Sequence, residues 1–161
     1  MTIHQPIIAE ARKAPAAEPL SFLGFLTHIR ANGRDTGLLH VVENEVPAGD
    51  ASPWHVHYAE DESFYVIEGE LEVIVGDARV RLGPGDFAFG PRSIPHGFRV
   101  VSATPARFLM ITVGGGFSDF IAEMSTPIVA GATPAPAEVD VPKLMAAAKK
   151  YGMEILGPLP A

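Results

Sequence analysis

Between Gly49 and Gly69 the chain reads GDASPWHVHYAEDESFYVIEG, and three of its side chains, His55, His57 and Glu62, are of the types that hold a metal ion. If His55-Val56-His57 is extended, the two-residue period of a strand turns both imidazoles to one face. Glu62 follows a short polar turn, Tyr58 to Asp61, so the next strand can return its carboxylate to the same point. A fourth candidate, His96, lies in GDFAFGPRSIPHGFRV, where Gly-Pro turn chemistry and the Ile94-Pro95 step favour extended backbone just before it. Singly these signals are weak: His-x-His also arises as a half-exposed strand pair, and Glu62 beside Glu60 and Asp61 could be a solvated turn residue. Taken with the bracketing glycines, the spacing predicts a mononuclear site of three imidazoles and one carboxylate.

Such a donor set suits one divalent Fe, Mn, Co, Ni, Cu or Zn ion per chain, and affinity alone does not choose among them. Four protein ligands leave one or two positions for a substrate oxygen or O2. Glu62 is the versatile member, able to bind the metal or to take a proton from a substrate hydroxyl. The histidines have only the holding role.

At these residues the chain resembles the cupin superfamily. The first cupin motif, G-x5-H-x-H-x3or4-E-x6-G, is matched by Gly49, His55, His57, Glu62 and Gly69. The second, G-x5-P-x-G-x2-H-x3-N, is matched by Gly85, Pro91 and His96, while Ser93 replaces its later glycine and Val100 its asparagine. Either this turn needs no positive φ, or Ser93 holds a mildly strained one. The resemblance covers roughly residues 38 to 113. It implies an all-β, single-domain cupin jelly-roll barrel with the metal inside. Within the superfamily the chain is similar to small bacterial proteins likened to quercetinase, the flavonol dioxygenase, in which the same ligand set binds the metal and the glutamate deprotonates the flavonol. Carried over, that makes Glu62 the catalytic base.

The whole chain, 161 residues, has the length of one domain. Frequent glycine (16) and proline (15) fit many short strands joined by turns. Without cysteine there are no disulfides and no thiolate ligands. A net charge of −7 argues against nucleic acid and against an anionic membrane surface as partners. No apolar run is long enough to span a bilayer and no secretory leader is evident, so a cytoplasmic location is expected.

Residues 1–19 read as a flexible arm in which His4 is a bystander, residues 20–116 as the barrel, and residues 117–161 as a short helical C-terminal extension with a Pro/Ala linker at 126–138. Leu20 to Ile29 is expected to pair with Leu38 to Val46 across the Asn32-Gly33 and Asp35-Thr36-Gly37 turns, with His28 and His40 as ordinary strand residues. Ser63 to Leu82 alternates as consecutive strands, with Val80 and Leu82 on a buried face opposite Arg79 and Arg81. Gly114-Gly115-Gly116 reads as a flexible joint, Ser118 as a helix cap, and Asp140 as a second cap ahead of Pro142. The apolar stretch from Met153 to Pro158 should pack on the barrel or on a second subunit; with exposed sheet edges it suggests a homodimer.

Strand parity names a pocket wall. Steps of two from Glu62 reach Phe64 and Val66, and from His96 reach Phe98 and Val100. Trp54 and Tyr58 fall out of phase with the histidines and should point outward or stand behind the ligands. The resemblance to quercetinase-like cupins implies a metal-dependent dioxygenase acting on a flavonol-like or other enolisable aromatic substrate with O2. The alternatives are a non-oxidative decarboxylase, isomerase or cyclase, and a cupin that binds a small molecule without catalysis.

Overall fold

The computed structural model describes residues 18–136 and 138–161. The expected arm at 1–19, His4 included, lies almost wholly outside them. Two antiparallel sheets face each other as a jelly roll, without closing into one continuous ladder.

The larger sheet begins with a hairpin, β1 (Leu20–Phe22) and β2 (Phe25–Ala31), turning at Leu23-Gly24 with φ of +53° and +87°. Two positive φ values match the twist that tight hairpins need, although leucine adopts one only under strain. The stretch from Leu20 to Ile29 is therefore two strands rather than the single one expected. β2 pairs with β3 (Leu39–Val46) as anticipated, across a helical turn, α1 (Gly33–Thr36), capped by the Asn32 side chain on the Arg34 N–H.

β4 (Trp54–His57) and β5 (Glu60–Glu68) carry the metal motif. β6 (Leu71–Val75), β7 (Ala78–Leu82), β8 (Phe87–Gly90), β9 (His96–Val100) and β10 (Ala106–Gly114) follow at the short spacing read from the sequence. The larger sheet runs β1-β2-β3-β10-β5-β8, with the two-residue β11 (Thr126–Pro127) beside β1; the smaller contains β4-β9-β6-β7. β11 thus takes the first residues of the supposed linker. β7 is an edge strand reaching past the core, so of its residues only Leu82 is buried and Val80 is exposed, contrary to the alternation expected.

Phe64, Phe98 and Phe108 lie at the centre of the core, with edge-on contacts between Phe98 and each of the others at 6.0 and 4.9 Å. After β10 come α2 (Phe117–Met124) and α3 (Val141–Lys150), then β12 (Met153–Gly157). Asp140 caps α3 on the Lys143 N–H as expected. Ser118 does not cap α2: the cap position is Gly116, and the buried Ser118 hydroxyl lies 2.7 Å from His40 Nδ1. The apolar tail is β12, which pairs with β4 in the same chain and covers that edge. No helix among the described residues is long and apolar enough to cross a membrane.

Candidate metal centre

β4 and β9 are neighbours, and His55 stands directly opposite His96. His57, two residues along β4, shares the inward face. Glu62 approaches from β5 of the other sheet, so the cluster spans the gap between the two sheets. Glu62 Oε2 lies 3.8 Å from His55 Nε2, 3.8 Å from His57 Nε2 and 2.9 Å from His96 Nε2. One ligand atom from each of the four residues fits within 4.8 Å of the others. All four are buried; the solvated-turn alternative for Glu62 does not apply, as its exposure is 0%.

The other ring nitrogen orients each imidazole. His55 Nδ1–H donates to the Pro53 carbonyl and His96 Nδ1–H to the Ile94 carbonyl, both at 2.8 Å and both two residues back in the chain. His57 Nδ1–H donates to Glu60 Oε1, also at 2.8 Å. These acceptors orient all three rings and leave the three Nε2 atoms facing Glu62, with His96 Nε2 in hydrogen-bond contact with its Oε2 at 2.9 Å. His57 Nε2 and Glu62 Oε1 have no hydrogen-bond partner although both are buried. Buried polar atoms without partners are costly, and a cation among these four donors would satisfy them. The residues present therefore fit one metal ion.

The electrostatics agree. Burial pushes the Glu62 carboxyl upward, but favourable contacts with His55, His57 and His96 outweigh it and hold the group far below the usual carboxylate range. Burial, aided by the neighbouring imidazoles, lowers His55 despite its contact with Glu62. For His96 burial acts downward, yet the Glu62 hydrogen bond and charge prevail and raise it. An ionised Glu62 beside a neutral His55 suits a divalent cation, which on binding would displace the proton between His96 and Glu62.

Glu60 was missed as a functional residue. It is fully buried, and strand parity carried the signal, since it stands two residues before Glu62 on the same inward face. The loop after β10 closes over it. A Cβ at Gly115 would lie 2.5 Å from Glu60 Oε2, and one at Gly114 2.8 Å from the Ala59 carbonyl. The glycine run is thus a close-packed wedge rather than the flexible joint expected, with φ of +94° and +59° at its first two positions. Thr112, opposite Glu62 across β10 and β5, has a buried hydroxyl that also lacks a partner.

A cavity of about 40 Å³ adjoins His55 and His57, with Asn44, Phe98, Met110 and Phe117 in its wall. Of the four side chains proposed for the pocket, Phe98 lines it. Phe64, Val66 and Val100 are buried elsewhere in the core, Phe64 edge-on to His96 at 6.4 Å. Tyr58 points outward as expected, its hydroxyl donating to Glu154. His28 and His40 stay outside the cluster; His40 Nδ1 accepts from the Ser118 N–H at the start of α2.

Residues 42–112 match the family model described as Cupin domain. The chain is 34% identical over 100 residues to quercetin 2,3-dioxygenase of Bacillus subtilis, covering 62% of this chain and 29% of that protein. It is 44% identical over 55 residues to dimethylsulfoniopropionate lyase DddQ of Ruegeria pomeroyi, covering 34% of this chain and 27% of that one. It thus spans less than a third of the curated relatives it matches. Among solved structures, KdgF from Halomonas sp. superposes with a TM-score of 0.52 at 25% identity, over 56% of this chain and 79% of that one.

Proposed function

Because residues 42–112 match the Cupin domain model, we propose that the chain is a cupin, that His55, His57, Glu62 and His96 hold one divalent transition metal, and that the loaded protein is a dioxygenase of flavonol-like or other enolisable aromatic substrates. The observation that carries this reading is the set of three Nε2 atoms converging on one buried carboxylate, each ring oriented through its other nitrogen. The similarity to quercetin 2,3-dioxygenase supports the choice of reaction.

When bound, the metal supplies Lewis acidity toward a substrate oxygen and a site for dioxygen. The protein's own part lies with Glu62 and the pocket wall. Glu62 Oε1, buried and without a partner, takes the proton of the substrate hydroxyl. Phe98, Met110 and Phe117 exclude water from the deprotonated substrate.

A second reading, a non-oxidative lyase, is favoured by the 44% identity to the dimethylsulfoniopropionate lyase. Oxygen uptake separates the two. Protein loaded in turn with Fe, Mn, Co and Ni is given quercetin while oxygen and flavonol absorbance are followed together. The dioxygenase reading predicts matched loss of both, abolished in Glu62→Gln with metal retained. Metal binding without oxygen consumption would refute it and favour the lyase.

A cytoplasmic homodimer remains part of the proposal. Since β12 is already paired with β4, the contact would use another surface; light scattering giving the monomer mass at micromolar concentration would exclude it.

A further inference from the structure

Two cavities stand back to back beside His55 and His57. The inner one, about 40 Å³, holds one water or a ligand of that size. Beyond its wall a groove of about 850 Å³ opens to the surface. Six residues line both spaces: Leu23 and Phe25 from the β1–β2 hairpin, Ser52 and Pro53 from the β3–β4 connection, Leu144 from α3 and Ile155 from β12. These shared side chains form a wall between the two spaces.

Neither space suffices alone. The inner cavity meets two of the candidate ligands, His55 and His57, but is too small for an aromatic substrate, and the groove has the volume but none of the four donors. Building on the metal-centre reading, we propose that the groove binds the body of an elongated, flat, uncharged substrate whose oxygen-bearing end enters the inner cavity past Leu23, Phe25, Leu144 and Ile155.

The lining supports this class of ligand. Proline rings at Pro47, Pro134, Pro136 and Pro158 give the groove rigid apolar faces, and Val139 and Val141 add 40% and 52% exposed side chains. Among the described residues Asp50 is its one charged lining residue, which disfavours an anionic body. The partition is also the lightly held part of the wall. β1 has only three residues, its outer neighbour β11 only two, and the turn beside them holds Leu23 at a positive φ. A strained hairpin at a sheet edge can yield while the strands bearing the ligands stay in place.

The test is a ligand series on the full chain loaded with Co(II), followed by its visible spectrum. Azide probes the inner cavity, acetohydroxamate adds a small chelating end, and 2-naphthohydroxamate adds a flat apolar body. The proposal predicts that the naphthyl ligand binds at least ~30-fold tighter than acetohydroxamate. Val141→Glu, an acidic substitution well suited to the first turn of α3, should cost the naphthyl ligand at least ~10-fold and leave azide binding unchanged. An unchanged azide response also shows that the variant is folded; Val139→Asp gives an independent second variant. Equal affinity for the two hydroxamates, or naphthyl affinity unaffected by both variants, overturns the groove assignment while the metal centre stands. Failure to take up Co(II), or to respond to azide, overturns the metal-centre reading and the groove proposal together.

Discussion

Replacing Glu60 by alanine removes the acceptor that orients His57 without touching any of the four donors. His57 Nδ1–H and Glu60 Oε1 lie 2.8 Å apart, and both residues are fully shielded from solvent. An Nδ1–H stripped of its acceptor there costs about 1–3 kcal/mol. The ring can avoid that cost by rotating or moving its proton to Nε2, and either response withdraws a lone pair from the metal. Loss of such an outer partner typically weakens metal binding about 10–100-fold, or roughly 1.4–2.7 kcal/mol. Glu60→Gln keeps an oxygen acceptor, so it should recover most of the affinity. The assay is chelator competition with Zn(II) or Co(II), alongside nitrogen NMR of His57 in the metal-free protein. Wild type should show the proton on Nδ1, and Glu60→Ala a mixture of tautomers. If Glu60→Ala binds metal within about twofold of wild type, or its His57 keeps the single tautomer, the orienting role is refuted. If Gln loses as much as Ala, the charge of Glu60 matters rather than its hydrogen bond.

Phe64→Ala, at a fully buried position against His96 and Phe98, should destabilise the fold by about 3–5 kcal/mol, read by denaturant melts; a loss under about 1 kcal/mol would contradict its central place in the core. Ser93 has a φ of +66°, so Ser93→Gly should relieve strain and stabilise by about 0.5 kcal/mol, with no such gain for Ser93→Ala. Paired hydrogen bonds from the Arg92 side chain, with a further one from its backbone N–H, hold Asp61 down to about 2. A depressed carboxyl stabilises the fold above its unfolded value and loses that effect as pH falls through about 2, so carboxyl NMR should show this low midpoint, rising toward the ordinary range in Arg92→Ala.

The sequence made the site legible where chemistry and period coincide. His55, His57, Glu62 and His96 are rare types at fixed spacing, and β5, which bears Glu62, alternates cleanly. Glu60 followed the same parity, but among three consecutive acidic residues composition suggested a wet turn. The pocket wall was only partly legible, because parity tells which face a side chain takes and not how deep it lies: Phe98 reaches the cavity, whereas Phe64 and Val66 sit in the core. Ser118 looked like a cap because serine before an apolar run usually is one. Its partner, His40, is 78 residues away, a contact no local pattern reveals. The glycine run read as a joint for a similar reason, since glycine marks both freedom of φ and close approach, and only the packing of Glu60 against Gly115 separates the two.

The pairing of β12 with β4 sets an order in time. Met153 lies across from His57 and Ile155 from His55, so the strand bearing two of the donors gains a whole flank from residues synthesised about a hundred positions later. On the ribosome all four donors emerge well before that flank exists. A chain without β12 can offer His55 and His57 to an ion, but with β12 paired it offers them on a strand flanked on both sides. A metal held by these donors would therefore meet its full, flanked site only after residues 153–157 have joined β4.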